Sequence, residues 1–150
     1  MITIRDIRPE DRPAWSTLWA GYLNFYETAL PDEITDLTYR RFLDPAEPVF
    51  AFVAEADGRL LGFVHFIFHR GTWAKHDFCY LEDLFTASDA RGKGVGRALI
   101  EAVYARAADN QCDRVYWLTH ESNLGARKLY DQVADNGGFI QYRWNPDKAR

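Results

Sequence analysis

Several absences narrow the possibilities before any motif is considered. Only two cysteines occur, Cys79 and Cys112, both in apolar surroundings and in no metal-ligand spacing. They read as two buried thiols in a reducing compartment, with a disulfide between them as the weaker alternative. The histidines His65, His69, His76 and His120 form no cluster with cysteines or acids, so no zinc pattern is present and no metal is expected. No apolar run approaches the length of a membrane span, and Arg5, Asp6 and Arg8 interrupt any early apolar stretch, so neither a membrane segment nor a signal peptide is expected. A long basic stripe is also missing: 18 basic against 22 acidic residues leave a net charge of −4. That argues against a nucleic-acid binder and is compatible with a cationic substrate. Repeats, linkers and low-complexity tracts are lacking too. What remains is one cytoplasmic domain spanning residues 1–150, with a balance of apolar and charged residues ordinary for a globular protein.

Hydrophobic periodicity then gives the element order. Met1 to Ile7 alternates as a half-buried strand, and Arg8-Pro9-Glu10-Asp11 breaks it and supplies acids for a helix start. Trp15, Leu18, Trp19, Tyr22 and Tyr26 recur at helical steps, so a first helix runs to about Tyr26, its aromatic stripe facing the core. A short second helix spans Thr35 to Leu43. Val49 to Ala56 and Arg59 to His69 flank Asp57-Gly58 as a hairpin. Arg70 to Phe78 reads as a loop whose Trp73 either packs down as a lid or lines a pocket. After it come a strand Tyr80–Thr86, a helix through Leu99 and Val103, a strand Arg114–His120, a helix from Leu124 to about Asp135, and a final strand Phe139–Trp144. Strands interleaved with helices make a mixed α/β fold, a central sheet flanked by helices.

The chain is organised around Tyr80–Ile100. Its strand, its glycine-rich turn Arg91-Gly92-Lys93-Gly94-Val95-Gly96-Arg97 and the helix that follows point backbone amides and a positive helix end at one spot, which suits a phosphate. A dinucleotide fingerprint is excluded, because Arg97 or Leu99 falls where its third glycine must be, and a Walker loop is excluded because Gly94 follows Lys93. The turn resembles the pyrophosphate loop of the GCN5-related N-acetyltransferases, [Q/R]-x-x-G-x-[G/A], with Arg91, Gly94 and Gly96 in its fixed positions. A second motif agrees: Asn123 follows the predicted strand ending at His120, and Tyr130 lies seven residues on. Within that superfamily, Tyr80-Leu81-Glu82-Asp83-Leu84-Phe85 followed by the glycine loop is most similar to the polyamine (diamine) and histone-type acetyltransferases.

The resemblance implies an acetyl-CoA-dependent N-acetyltransferase acting on a primary amine, with a polyamine or other small cation ahead of a protein lysine, and a homodimer. By position it implies that Leu84, Phe85 and Thr86 meet the pantetheine arm and that Arg91 to Arg97 hold the pyrophosphate. Asn123, Leu124, Gly125 and Ala126 would contact the rest of coenzyme A. Tyr130 would be the general acid, Glu82 the base or attracting carboxylate, and Tyr26, Glu27, Trp73 and Asp83 would line the acceptor side. The chemistry is coherent: a free alkylamine has a pKa of about 10.4, so it must lose a proton before attacking, and the departing thiolate needs one. Strand alternation alone groups Glu82 with Tyr80 and Leu84, and Asp83 with Leu81 and Phe85. Asp83 on the apolar face would then need a partner, and a bulge could re-aim either residue. Two other functions stay open: acetylation of a protein lysine or N-terminus, and a non-catalytic acyl-CoA-binding module. Tyr130 argues against the last, because binding alone needs no acid at the sulfur.

Overall fold

Two apolar strands, β2 (Val49–Ala56) and β3 (Arg59–His69), form the spine of the computed structural model, which describes residues 1–149. Asp57 and Gly58 between them have φ of 51° and 74°, the paired left-handed conformation whose twist matches that of the strands it joins. β1 (Thr3–Asp6) pairs antiparallel with β2, β4 (Phe78–Thr86) antiparallel with β3, and β5 (Val115–Tyr116) parallel with β4. The result is a mixed five-stranded sheet in the order β1-β2-β3-β4-β5.

Helices cover both faces. On one, α1 (Arg12–Phe25) and α2 (Asp32–Leu43) lay Trp15, Leu18, Trp19 and Tyr39 against Ala51, Val53 and Phe63. Trp15 is fully buried, its ring 5.6 Å from that of Trp19 and 4.9 Å from that of Tyr39. Truncating a buried tryptophan to alanine typically costs about 3–5 kcal/mol, so this stripe anchors α1 on the sheet. The entry to α1 is fixed by Asp11, which accepts the Arg8 N–H at 2.8 Å and both terminal nitrogens of Arg5. That guanidinium holds the Asp11 carboxyl below its usual range. On the other face, α3 (Val95–Asp109) buries Val95, Leu99, Ile100 and Val103, and its Arg106 lies 4.8 Å over the ring of Phe52.

The chain groups into two compact units, Met1–Leu118 and Thr119–Arg150. The sheet and α1–α3 belong to the first; the second contains α4 (Leu124–Val133). Among the described residues no helix is long and apolar enough to cross a membrane.

Three expectations need correction. The strand Arg114–His120 is confined to Val115–Tyr116, because only Cys79 and Tyr80 of β4 offer it partners. Phe139–Trp144 forms no strand: its alternation has no ladder to join, and Phe139 and Tyr142 stand more than nine-tenths exposed. Cys79 is buried, its thiol pushed up to about 12 by loss of water, but Cys112 is only half-buried.

Candidate active site

β4 carries the residues around which a site can be built, and its register is irregular there. Asp83 is paired with His65 and Leu81 with Phe66, so Glu82 has no partner on β3. This is a β-bulge, one extra residue on one strand, which switches the side-chain alternation at that point. Leu81 therefore shares a face with Phe66, whereas Asp83 shares the opposite face with His65, Phe63 and the aromatic stripe of α1. The grouping of Asp83 with Leu81, expected from simple alternation, is thus corrected; Asp83 and Phe85 do lie together. Glu82 is turned to the exposed side. Crowding by the surrounding protein, and then the charge of Asp83, raise its carboxyl above the usual carboxylate range.

Asp83 has the partners its position demands. Its Oδ1 accepts the Tyr22 hydroxyl at 2.6 Å and its Oδ2 lies 2.9 Å from His65 Nδ1. His65 is 2% exposed, and its Nε2 lies 3.1 Å from the indole Nε1 of Trp15. Burial and then the Asp83 carboxylate raise the Tyr22 hydroxyl far above its ordinary pKa, so the phenol stays protonated and donates. Tyr26 stacks at an angle on Tyr22, ring centroids 5.0 Å apart, and is about half exposed. α1 ends beside it, with Glu27 in a left-handed conformation at φ 52°.

Beyond the bulge, β4 has β3 on one side only. Val64, Phe63 and Gly62 pair with Leu84, Phe85 and Thr86, while β5 stops at Tyr80, so among the described residues no strand covers the other edge from Leu81 to Thr86. In an antiparallel pair half of the main-chain groups face away from the partner. That edge can therefore take an extended molecule as it would take another strand.

The same edge leads to the glycine turn. Gly92 and Gly94 have φ of 78° and 81°, which L side chains rarely adopt, and α3 begins at Val95 with no capping side chain and no acid in its first turn. Ala98 N–H bonds to Gly94 O at 3.0 Å, so the amides ahead of it at Val95 and Gly96 have no helical acceptor. Around them are Arg91, Lys93 and Arg97. Arg91 stacks over Phe85 at 5.9 Å, and Arg97 lies 3.8 Å from Glu101. Asp89, ahead of the turn, is paired with Arg59 at 2.7 Å. Uncapped amides, a positive helix end and exposed cations make an anion cradle suited to a pyrophosphate.

Comparison with known proteins decides the family. The profile of the acetyltransferase (GNAT) family matches residues 6–134. The chain belongs to that family. A D-amino-acid N-acetyltransferase of Saccharomyces cerevisiae is 37% identical over 146 residues, covering 96% of this chain and 91% of that protein. A phosphinothricin N-acetyltransferase of Alcaligenes faecalis is 32% identical over 129 residues, 82% of this chain and 61% of that protein. Among solved structures, AAC(6')-Iy in complex with a CoA-containing bisubstrate analogue has a TM-score of 0.84 at 19% identity, covering 97% of this chain and 98% of that one; the likeness is one of fold. The protein is thus an acetyl-CoA-dependent N-acetyltransferase with a mixed α/β acetyltransferase fold.

The first unit of this acetyltransferase contains Glu82, Asp83, Leu84–Thr86, Arg91–Arg97, Tyr26, Glu27 and Trp73. Trp73 is 89% exposed in the β3–β4 loop, so it does not pack down as a lid would. In the second unit, Asn123 precedes α4 and accepts the Arg127 N–H on its carbonyl at 3.0 Å, while its side chain makes no cap bond. Leu124 and Gly125 are exposed and Ala126 half-buried in the first turn, and Tyr130 is half-buried on the same helix. Sequence reasoning missed His65, Trp15 and Tyr22. A signal existed: His65 is the one ionisable residue inside the apolar run Leu60–Phe68, and Asp83 required a buried donor.

Proposed function

We propose that this acetyltransferase acts on the primary amine of a small molecule, with Glu82 accepting the amine proton and Tyr130 donating one to the thioester sulfur. The observation that carries this reading is the uncovered edge of β4, which has the bulged Glu82 at one end and the α3 anion cradle beyond the other. A pantetheine arm on Leu84, Phe85 and Thr86, with its pyrophosphate on the turn from Arg91 to Arg97, would bring a thioester near Glu82. A main-chain N–H near Leu84 or Phe85 would polarise the thioester carbonyl. Asn123 and the first turn of α4 through Ala126 would hold the remainder of coenzyme A, and residues 1–150 would act as one domain.

The raised pKa of Glu82 favours its role as base, because a carboxyl nearer neutrality is a better match for taking a proton from an amine. For the acceptor, the exposed Glu82 carboxylate and the half-exposed ring of Tyr26 support a small cation such as a polyamine. The 37% identity to a D-amino-acid N-acetyltransferase supports an amino acid as the second candidate. A panel of diamines, D- and L-amino acids and lysine-containing peptides, assayed with acetyl-CoA by thiol release and product mass, separates these. Turnover of small amines well above that of peptides is expected; turnover of peptides alone would overturn the reading.

The cradle is tested separately. A Cβ at Gly94 would meet no protein atom, yet its φ of 81° is one a β-branched residue tolerates poorly. Gly94→Val should therefore act through the backbone of the turn and the approach of the phosphates. Calorimetry should show coenzyme A binding weakened at least tenfold, about 1.4 kcal/mol. Unchanged affinity in a folded variant would make the loop a turn and nothing more.

A further inference from the structure

We propose that His65, Asp83 and Trp15 are positioning residues for acetyl transfer, their hydrogen bonds locking the β-bulge that aims Glu82 and fixing the Tyr22 hydroxyl beside it. The inference rests on the reading of Glu82 as the base.

The geometry gives each link one direction. An indole N–H can only donate, so His65 Nε2, 3.1 Å from Trp15 Nε1, accepts. The neutral imidazole then carries its proton on Nδ1 and donates it to Asp83 Oδ2 at 2.9 Å. Tyr22 donates to Oδ1 at 2.6 Å. Asp83 thus spends both oxygens inside the protein and is poorly placed to serve as the acceptor's carboxylate. That duty falls to Glu82, which is turned outward.

The position of this chain in the sheet gives it a purpose. His65 and Asp83 are the matched pair on one side of the register shift, Phe66 and Leu81 the pair on the other. A bulge persists only while the pairs flanking it are fixed, and a slip of one residue turns every side chain to the opposite face. A His–Asp bond on the buried face, backed by a fully buried tryptophan, resists such a slip more firmly than apolar contacts, because breaking it would strand a charge away from water. Tyr22 extends the restraint to α1. Its ring stacks on Trp19 at 5.3 Å and meets Phe85 edge-on at 6.1 Å. The helix and the bulged strand are tied at the level of Glu82.

His65→Leu and His65→Asn separate positioning from packing. Leucine suits the apolar surroundings but cannot donate; the asparagine amide can donate to Asp83 as Nδ1 does. With acetyl-CoA and the best-acetylated amine of the panel, His65→Leu should lose about ten- to a hundredfold in kcat, the scale of a misplaced reacting group. Coenzyme A affinity should stay within a few-fold, and His65→Asn should recover most of the rate despite packing worse. A purely structural histidine predicts the reverse order, with kcat following Tm; that result, or wild-type kcat in His65→Leu, overturns the inference. Glu82→Gln is run in parallel. Full activity there removes the base itself, whereas an inactive Glu82→Gln beside a fully active His65→Leu removes only the positioning role. Should His65→Leu fail to fold, Tyr22→Phe, which loses one oxygen and keeps the ring, is expected to lower kcat at unchanged coenzyme A affinity, and wild-type kcat there would count against the proposal. Nitrogen-15 spectra of labelled histidine in the wild-type protein give an activity-free reading: the Nδ1–H tautomer of His65 is expected, and the Nε2–H tautomer would contradict the chain of bonds.

Discussion

Tyr130→Phe is expected to lower kcat by about 10²–10⁴, the contribution typical of a positioned general acid, while leaving coenzyme A affinity within a few-fold. The substitution removes one oxygen and retains a half-buried ring on α4, so the helix from Leu124 to Val133 should keep its packing. The thiolate leaving group would then depart without a proton donor. The alkaline limb of the wild-type pH–rate profile should flatten or move in the variant, because that limb would report loss of the phenolic proton. Near-normal kcat with a lowered thermal midpoint would show that Tyr130 is a core aromatic.

Glu82→Gln is the complementary case. If Glu82 takes the amine proton, its loss should cost a similar factor, about 10²–10⁴ in kcat, and most at pH values where Glu82 is ionised and the amine still carries its proton. The wild-type profile carries a further mark. Crowding and the Asp83 charge raise the Glu82 carboxyl, so more of it is protonated in mild acid than for an ordinary glutamate. Because the base must be ionised, activity should fall as pH drops through that raised value, and this acid limb should vanish in the glutamine variant. A rise in KM at constant kcat would mean that Glu82 attracts the amine and does not deprotonate it.

Much of this arrangement was legible in the sequence, for identifiable reasons. The hairpin Val49–His69 announces itself through two apolar runs around Asp57-Gly58, and α1 through aromatics at helical spacing, because both signals are local. The glycine turn is legible because only glycine readily adopts the φ found at positions 92 and 94. What could not be read depends on pairing between distant segments. The bulge at Glu82 is set by how β4 registers against β3, and no residue in Tyr80-Leu81-Glu82-Asp83 encodes it alone. Phe139–Trp144 has the alternation of a strand, but alternation describes a propensity for a ladder and does not supply one. Trp15 and Tyr22 were hidden by being aromatic: on an apolar helix face their rings explain themselves, and the N–H and O–H they carry become informative only when His65 and Asp83 are found opposite.

The claim that bears the most weight is the path of acetyl-CoA along the β4 edge to the start of α3. Backbone amide spectra of the nitrogen-15-labelled wild-type protein, titrated with acetyl-CoA, test it most directly. The account predicts that the largest shifts fall on Leu84, Phe85 and Thr86 and on Gly92 through Arg97. Shifts concentrated instead in the surface cleft lined by Arg5, Thr17, Glu55 and Arg59, with Leu84–Thr86 and Gly92–Arg97 unmoved, would contradict it.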